Sequence, residues 1–149
     1  MATPATSARP YTSKQMGDAC EMLVAAELTL AGIPALKMPD NWPGYDVIAQ
    51  RKGSEAPLRI SVKSRTYSTK ARDVSFSSED HFEWLAIVLL ECDQEQKRRV
   101  FLIPAEVALR ESRKNRPTTK HAKLRYWRLD EVPKLFSRFE NNFKLLPNA

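Results

Sequence analysis

Glu21, Asp46 and Lys63 appear in that order along the chain and are the residue types that phosphodiester hydrolysis requires. Two carboxylates offer hard oxygen ligands to Mg²⁺ or Mn²⁺, a cation that takes a few carboxylates and keeps several waters. An amine beside them orients or deprotonates the attacking water and neutralises charge building on the phosphate. Ser61 stands two residues before Lys63, where a further strand carboxylate would serve best. Its neutral hydroxyl is a much poorer metal ligand.

These residues need three elements to hold them. Residues 58–64 alternate, with Leu58, Ile60 and Val62 on one strand face and Arg59, Ser61 and Lys63 on the other. Residues 45–51 form a preceding strand with Asp46 near its start, and the polar loop 52–57 makes the two strands antiparallel neighbours. That pairing brings Asp46 towards the Lys63 end. Glu21 belongs to a helix over residues 14–32, with Ser13 as N-cap, Met16, Cys20, Leu23 and Leu30 at helical spacing, and Gly32 as a left-handed terminator. Gly17 projects from the same face as Glu21.

The remaining elements follow in turn. Residues 33–38 form a short edge strand, and 39–44 a Pro- and Gly-containing turn that carries Trp42. A short strand at 73–76 and a helical turn at 78–82 precede a near-continuous apolar strand at 83–91. A strand at 99–103, a helix from 105, a last strand at 124–129 and a closing helix at 132–143 complete the chain. This order describes one α/β domain, a mixed central sheet flanked by helices, over residues 13–149, behind a flexible tail at 1–12.

The chain has 149 residues, 42% apolar and 28% charged, which suits one core. Its net charge of +6 favours a polyanionic partner, with nucleic acid ahead of a membrane surface. Residues 110–128 concentrate the charge around Tyr126 and Trp127, so Arg113, Lys114, Arg116, Lys120, Lys123 and Arg125, with Arg65 beside Lys63, are candidate nucleic-acid contacts. The bland alternative is a solvated basic face. Cys20 and Cys92 lack zinc-site spacing, and Cys20 reads as a buried free thiol. No secretory h-region or membrane-length apolar run is visible, which points to the cytoplasm.

The segments Gly17-Asp18-Ala19-Cys20-Glu21, Pro43-Gly44-Tyr45-Asp46-Val47-Ile48-Ala49 and Ile60-Ser61-Val62-Lys63-Ser64, in this order, resemble the PD-(D/E)XK, or restriction-endonuclease-like, superfamily. The pattern is most similar to the small branch around archaeal Holliday-junction resolvases, where a G-x-x-x-E helix precedes a D-hydrophobic strand and then E/Q-x-K. The apolar strand with Trp84, followed by residues 100–107, resembles the continuation common there, so the resemblance covers roughly residues 13–108. It implies a metal-dependent DNA endonuclease in which Glu21 and Asp46 hold Mg²⁺ or Mn²⁺, Lys63 acts on water and phosphate, and the enzyme works as a homodimer. Ser61 departs from the pattern. The alternative is a nuclease fold that has lost its chemistry and serves as a DNA-binding or protein-interaction module.

Singly, each residue has a plainer reading. Asp46 after Pro43-Gly44 is also a turn residue, Glu21 a solvent-facing helix residue, and Lys63 an exposed strand lysine. Trp42 reads as packing over the sheet edge, with base stacking as the alternative. His81 and His121 read as surface residues.

Overall fold

The structure is a computed structural model that describes residues 9–67, 73–92 and 97–148. Most of the expected tail, and part of the turn after the apolar strand, lie outside the described residues. Helix α1 (Ser13–Leu30) is capped one residue earlier than the sequence suggests, by Thr12 rather than Ser13. The Thr12 hydroxyl accepts from the Gln15 N–H at 3.1 Å, and the Gln15 side chain accepts from the Thr12 N–H at 2.9 Å. This reciprocal pair satisfies two helix-end donors at once. Gly32, at φ +100°, turns the chain out of the helix.

The buried stripe of α1 is Met16, Cys20, Val24, Ala25 and Leu28, whereas Leu30 is exposed. Cys20 is a buried free thiol. Tyr11, just ahead of the helix, packs against the same core.

The central sheet has the order β1-β2-β3-β5-β6. Its strands are β1 (Ala35–Lys37), β2 (Val47–Ala49), β3 (Leu58–Thr66), β5 (Trp84–Leu90) and β6 (Arg98–Pro104). Strand β3 lies parallel to β5, and the other neighbours are antiparallel, which makes the sheet mixed. β5 is buried along its whole length. Trp84, Ala86, Val88 and Leu90 face α1, while Leu85, Ile87 and Leu89 face the opposite layer.

That opposite layer differs from the expectation of a single sheet. β4 (Asp73–Ser77), β7 (Arg113–Lys114) and β8 (Leu124–Arg128) form a second sheet of order β4-β8-β7. The far face of β5 needs apolar cover, and Val74, Phe76 and Trp127 of the second sheet supply it. Trp127 stacks on Phe76 at 5.3 Å and meets Phe136 edge-on at 5.2 Å. Its indole N–H donates to the Glu111 carbonyl at 3.0 Å, tying the sheet to the end of α2 (Ala105–Glu111).

The expected closing helix also differs. Only α3 (Val132–Leu135) and a 3₁₀ turn (Ser137–Phe139) form. Phe136 and Phe139 belong to the second-sheet core, but Phe143 and Leu145 pack on the α1 side. The segment has to wrap the β6 edge to reach both, which one straight helix cannot do. Asn141 and Leu145, at φ 55° and 54°, make the bends. The 78–82 helical turn is likewise reduced to a simple turn at 78–79. Among the described residues no helix is long and apolar enough to cross a membrane.

Candidate functional site

β2 pairs with β3 only over Leu58, Arg59 and Ile60, yet β3 runs on to Thr66. The two strands therefore part at Asp46 and Ser61. Where backbone pairing stops, the Asp46 side chain takes over: its Oδ2 accepts from the Val62 N–H at 2.7 Å. The Asp46 N–H still donates to the Ile60 carbonyl at 2.9 Å, and its carbonyl accepts from the Met38 N–H at 2.8 Å. The carboxylate is thus fixed on both sides of its own Cα.

Glu21 reaches the same place from α1. Glu21 and Asp46 line one open cleft of about 440 Å³, together with Asp18, Asp40, Lys14 and Trp42. Glu21 makes no hydrogen bond or ion pair among the described residues. Burial, followed by the nearby Asp46 carboxylate, pushes Glu21 up to about 7, and Lys37 pulls the other way. Gly17 is not required by close packing, since a Cβ there would meet only Glu21 Oε2 at 3.9 Å.

Ser61 and Lys63 flank the Val62 amide that Asp46 engages, but neither lines the cleft. Ser61 is buried at 3% exposure. Lys63 is half-buried, stands in register with Ile87 of β5, and has no ion pair among the described residues. The structure therefore brings Glu21 and Asp46 together and leaves the serine and lysine on the neighbouring strand.

Two acids of the cleft, Asp18 and Asp40, are held by lysines that no motif in the sequence singles out. Lys37 Nζ lies 3.7 Å from Asp18 Oδ1 and 3.4 Å from Asp40 Oδ1. Lys14 Nζ lies 2.9 Å from Asp18 Oδ2 and 3.0 Å from Asp40 Oδ2. Asp18 precedes Glu21 by three residues, so its helical face was legible. The contribution of Lys37 depends on β1 packing beside α1, which no local pattern reports.

The basic residues divide into tied and free. Arg65 donates to the Ser64 carbonyl at 2.7 Å and to the Asp73 carbonyl at 3.4 Å. Arg113 pairs with Glu131 at 3.0 Å, and Lys123 with Glu79 at 2.9 Å. Arg125 bonds the Leu109 carbonyl and the Ser112 hydroxyl, each at 3.4 Å, and so caps the end of α2. Lys114, Arg116 and Lys120 are exposed with no ion pair among the described residues.

Glu21 and Asp46 in one cleft are oxygen donors of the kind that a hard divalent cation takes. Among the described residues no group of three or more His, Cys, Asp or Glu is placed to hold a metal. Two carboxylates with retained waters suffice for Mg²⁺. Glu21, raised by burial and by its neighbour, lacks the direct positive partner that such an ion would supply.

No family model matches the sequence, and no curated protein is similar to it. Solved structures are similar. The bacterial homing endonuclease I-Ssp6803I superposes with a TM-score of 0.50 at 15% identity, over 77% of this chain and 89% of that one. The Holliday junction resolvase Hjc of Archaeoglobus fulgidus superposes with a TM-score of 0.51 at 18% identity, over 79% of this chain and 88% of that one. The fold is the restriction-endonuclease-like fold of these nucleases, and the resemblance read from the sequence holds at that level.

Proposed function

We propose that this chain is a metal-dependent endonuclease that hydrolyses phosphodiester bonds of DNA, with Glu21 and Asp46 holding Mg²⁺ or Mn²⁺. The observation that carries this reading is the convergence of two carboxylates, from α1 and from the residue just before β2, in one cleft where β2 leaves β3. The bound ion would supply water activation and neutralisation of the phosphate. Asp46, fixed by the Val62 amide, presents its other oxygen without needing to reorganise. Glu21 has to lose its proton before it can serve as a ligand. Lys63, carrying no ion pair among the described residues, contributes positive charge to the phosphate from β3. Lys114, Arg116 and Lys120 take backbone phosphates further along. A homodimer would set two such sites against the two strands of a duplex.

A second reading is favoured by one observation: Ser61 is buried where an acid would be the stronger ligand. In that reading the fold binds DNA, or a protein, without cutting it.

The test is incubation with supercoiled, linear, single-stranded and four-way-junction DNA in Mg²⁺, Mn²⁺ or EDTA. Metal-dependent cleavage of any of these supports the nuclease and names its substrate class. A salt-sensitive complex that survives EDTA, with no cleavage in any condition, supports the second reading.

A further inference from the structure

Trp42 is 46% exposed, and among the described residues it is the sole aromatic in the set of exposed large apolar side chains. An indole held open to water loses the burial that ordinarily stabilises it. It lies on the rim of the cleft that contains Glu21 and Asp46.

The loop that carries it is held in place. Asp40 uses both carboxylate oxygens, one towards Lys14 at 3.0 Å and one towards Lys37 at 3.4 Å. The Trp42 N–H donates to the Pro39 carbonyl at 3.2 Å. Asn41, at φ 63°, and Gly44, at φ 89°, set the turn on either side. Tyr45 meets the indole edge-on, with centroids 6.3 Å apart and planes at 74°, which orients the ring and leaves much of its surface open. The sheet-edge packing suggested by the sequence is thus replaced by an aromatic platform fixed in advance beside two carboxylates.

We infer that Trp42 stacks on an unpaired nucleobase of the DNA held in this cleft, and that it biases the protein towards substrates with an unstacked base next to the site. A base inside a continuous duplex already stacks on both neighbours and offers no face. A single strand, a flap or a junction does. Because the platform is already ordered, little conformational entropy is lost when a base settles on it. The inference rests on the cleft being the DNA site proposed above.

The test uses the full chain in Ca²⁺, which neutralises the cleft, and a labelled oligothymidylate beside an abasic strand of equal length. Affinity is read by fluorescence anisotropy. Trp84 and Trp127 are 6% and 0% exposed, so indole emission on binding reports mainly on Trp42. The wild type is expected to prefer the base-bearing strand by about tenfold or more, the size of one base–aromatic stack. Binding should quench its emission. Trp42→Ala should remove the preference while keeping the abasic affinity, and Trp42→Phe should retain part of it. A preference unchanged in Trp42→Ala, or no preference in the wild type, overturns the inference. Cleavage of duplex DNA in Mg²⁺ is read alongside. Its persistence without a base preference leaves the nuclease standing and removes only Trp42. A base preference without cleavage keeps Trp42 and moves the protein to the binding reading.

Discussion

Asp46 Oδ2 accepts a 2.7 Å hydrogen bond from the backbone N–H of Val62. A side chain here completes a strand ladder that the backbone of β2 has abandoned, so one carboxylate has two duties. The duties separate by mutation. Asp46→Ala leaves the Val62 amide without its partner, at a cost of about 1–3 kcal/mol. Asp46→Asn keeps an acceptor and should unfold within about 1 kcal/mol of wild type, while losing the negative charge. Chemical denaturation should therefore rank Ala below Asn, and metal titration should find both defective. Equal stability of the two variants would mean that the hydrogen bond contributes nothing.

Glu21 gives the site a pH dependence. Its folded value of about 7 lies above the ordinary 4.5 because burial, and then Asp46, disfavour the charged form. The stabilising contribution is therefore complete below about 4.5 and is lost as pH rises through about 7. Glu21→Gln should melt like wild type near pH 4 and above it near pH 8. The gain should be roughly 2–4 °C, or about 1 kcal/mol once solvent screening of a half-exposed group is allowed for. Mg²⁺ should raise the wild-type midpoint more near pH 8 than near pH 5, because protons compete for the ligand. A melting curve of Glu21→Gln that parallels wild type at every pH would remove this account.

The alternation in residues 58–64 made β3 legible, because a strand that presents one face to the α1 layer must repeat every second residue. The pairing of Asp46 with the far part of β3 was also legible, since a short polar loop leaves an antiparallel neighbour as the natural arrangement. The second sheet was hidden for the opposite reason. β7 has two residues, and β4 meets β8 some fifty residues later, so no local pattern encodes the pairing. Helical spacing at 132–143 suggested a helix, but the apolar residues there serve two cores on opposite faces of the sheet. The cleft's ion pairs were hidden too, because Lys37 and Asp18 lie on separate elements and meet only in the folded chain.

Trp127 tests the hidden layer. It is fully buried, stacked on Phe76, and bonded to the Glu111 carbonyl. Trp127→Ala should cost about 3–5 kcal/mol, with Trp127→Phe intermediate because a smaller aromatic ring remains while the N–H is lost. Urea denaturation reads the loss. A change below about 1 kcal/mol would mean that the second sheet is not part of the cooperative core.

The basic hairpin makes a graded prediction. Replacing Lys114, Arg116 and Lys120 together by Ala should lower the salt slope of duplex binding by about 2 to 3, from three phosphate contacts at about 0.9 each. Lys123→Ala, whose amine is engaged by Glu79, should leave the slope nearly unchanged, against the loss of about 0.9 expected for each lysine that meets a phosphate. Equal effects from the tied and the free lysines would show that the ion pairs do not decide which cations meet DNA.

In the proposed function, Glu21 and Asp46 together form a metal centre that cuts DNA. The measurement that meets it most directly is Mn²⁺-dependent cleavage of the best substrate by wild type, Asp46→Asn and Glu21→Gln, each first shown to be folded by its melting curve. Cleavage by the wild type should be abolished by EDTA and should fall at least about a hundredfold in each variant, the scale of removing an electrostatic group from a transition state. Full cleavage by folded Asp46→Asn would contradict it.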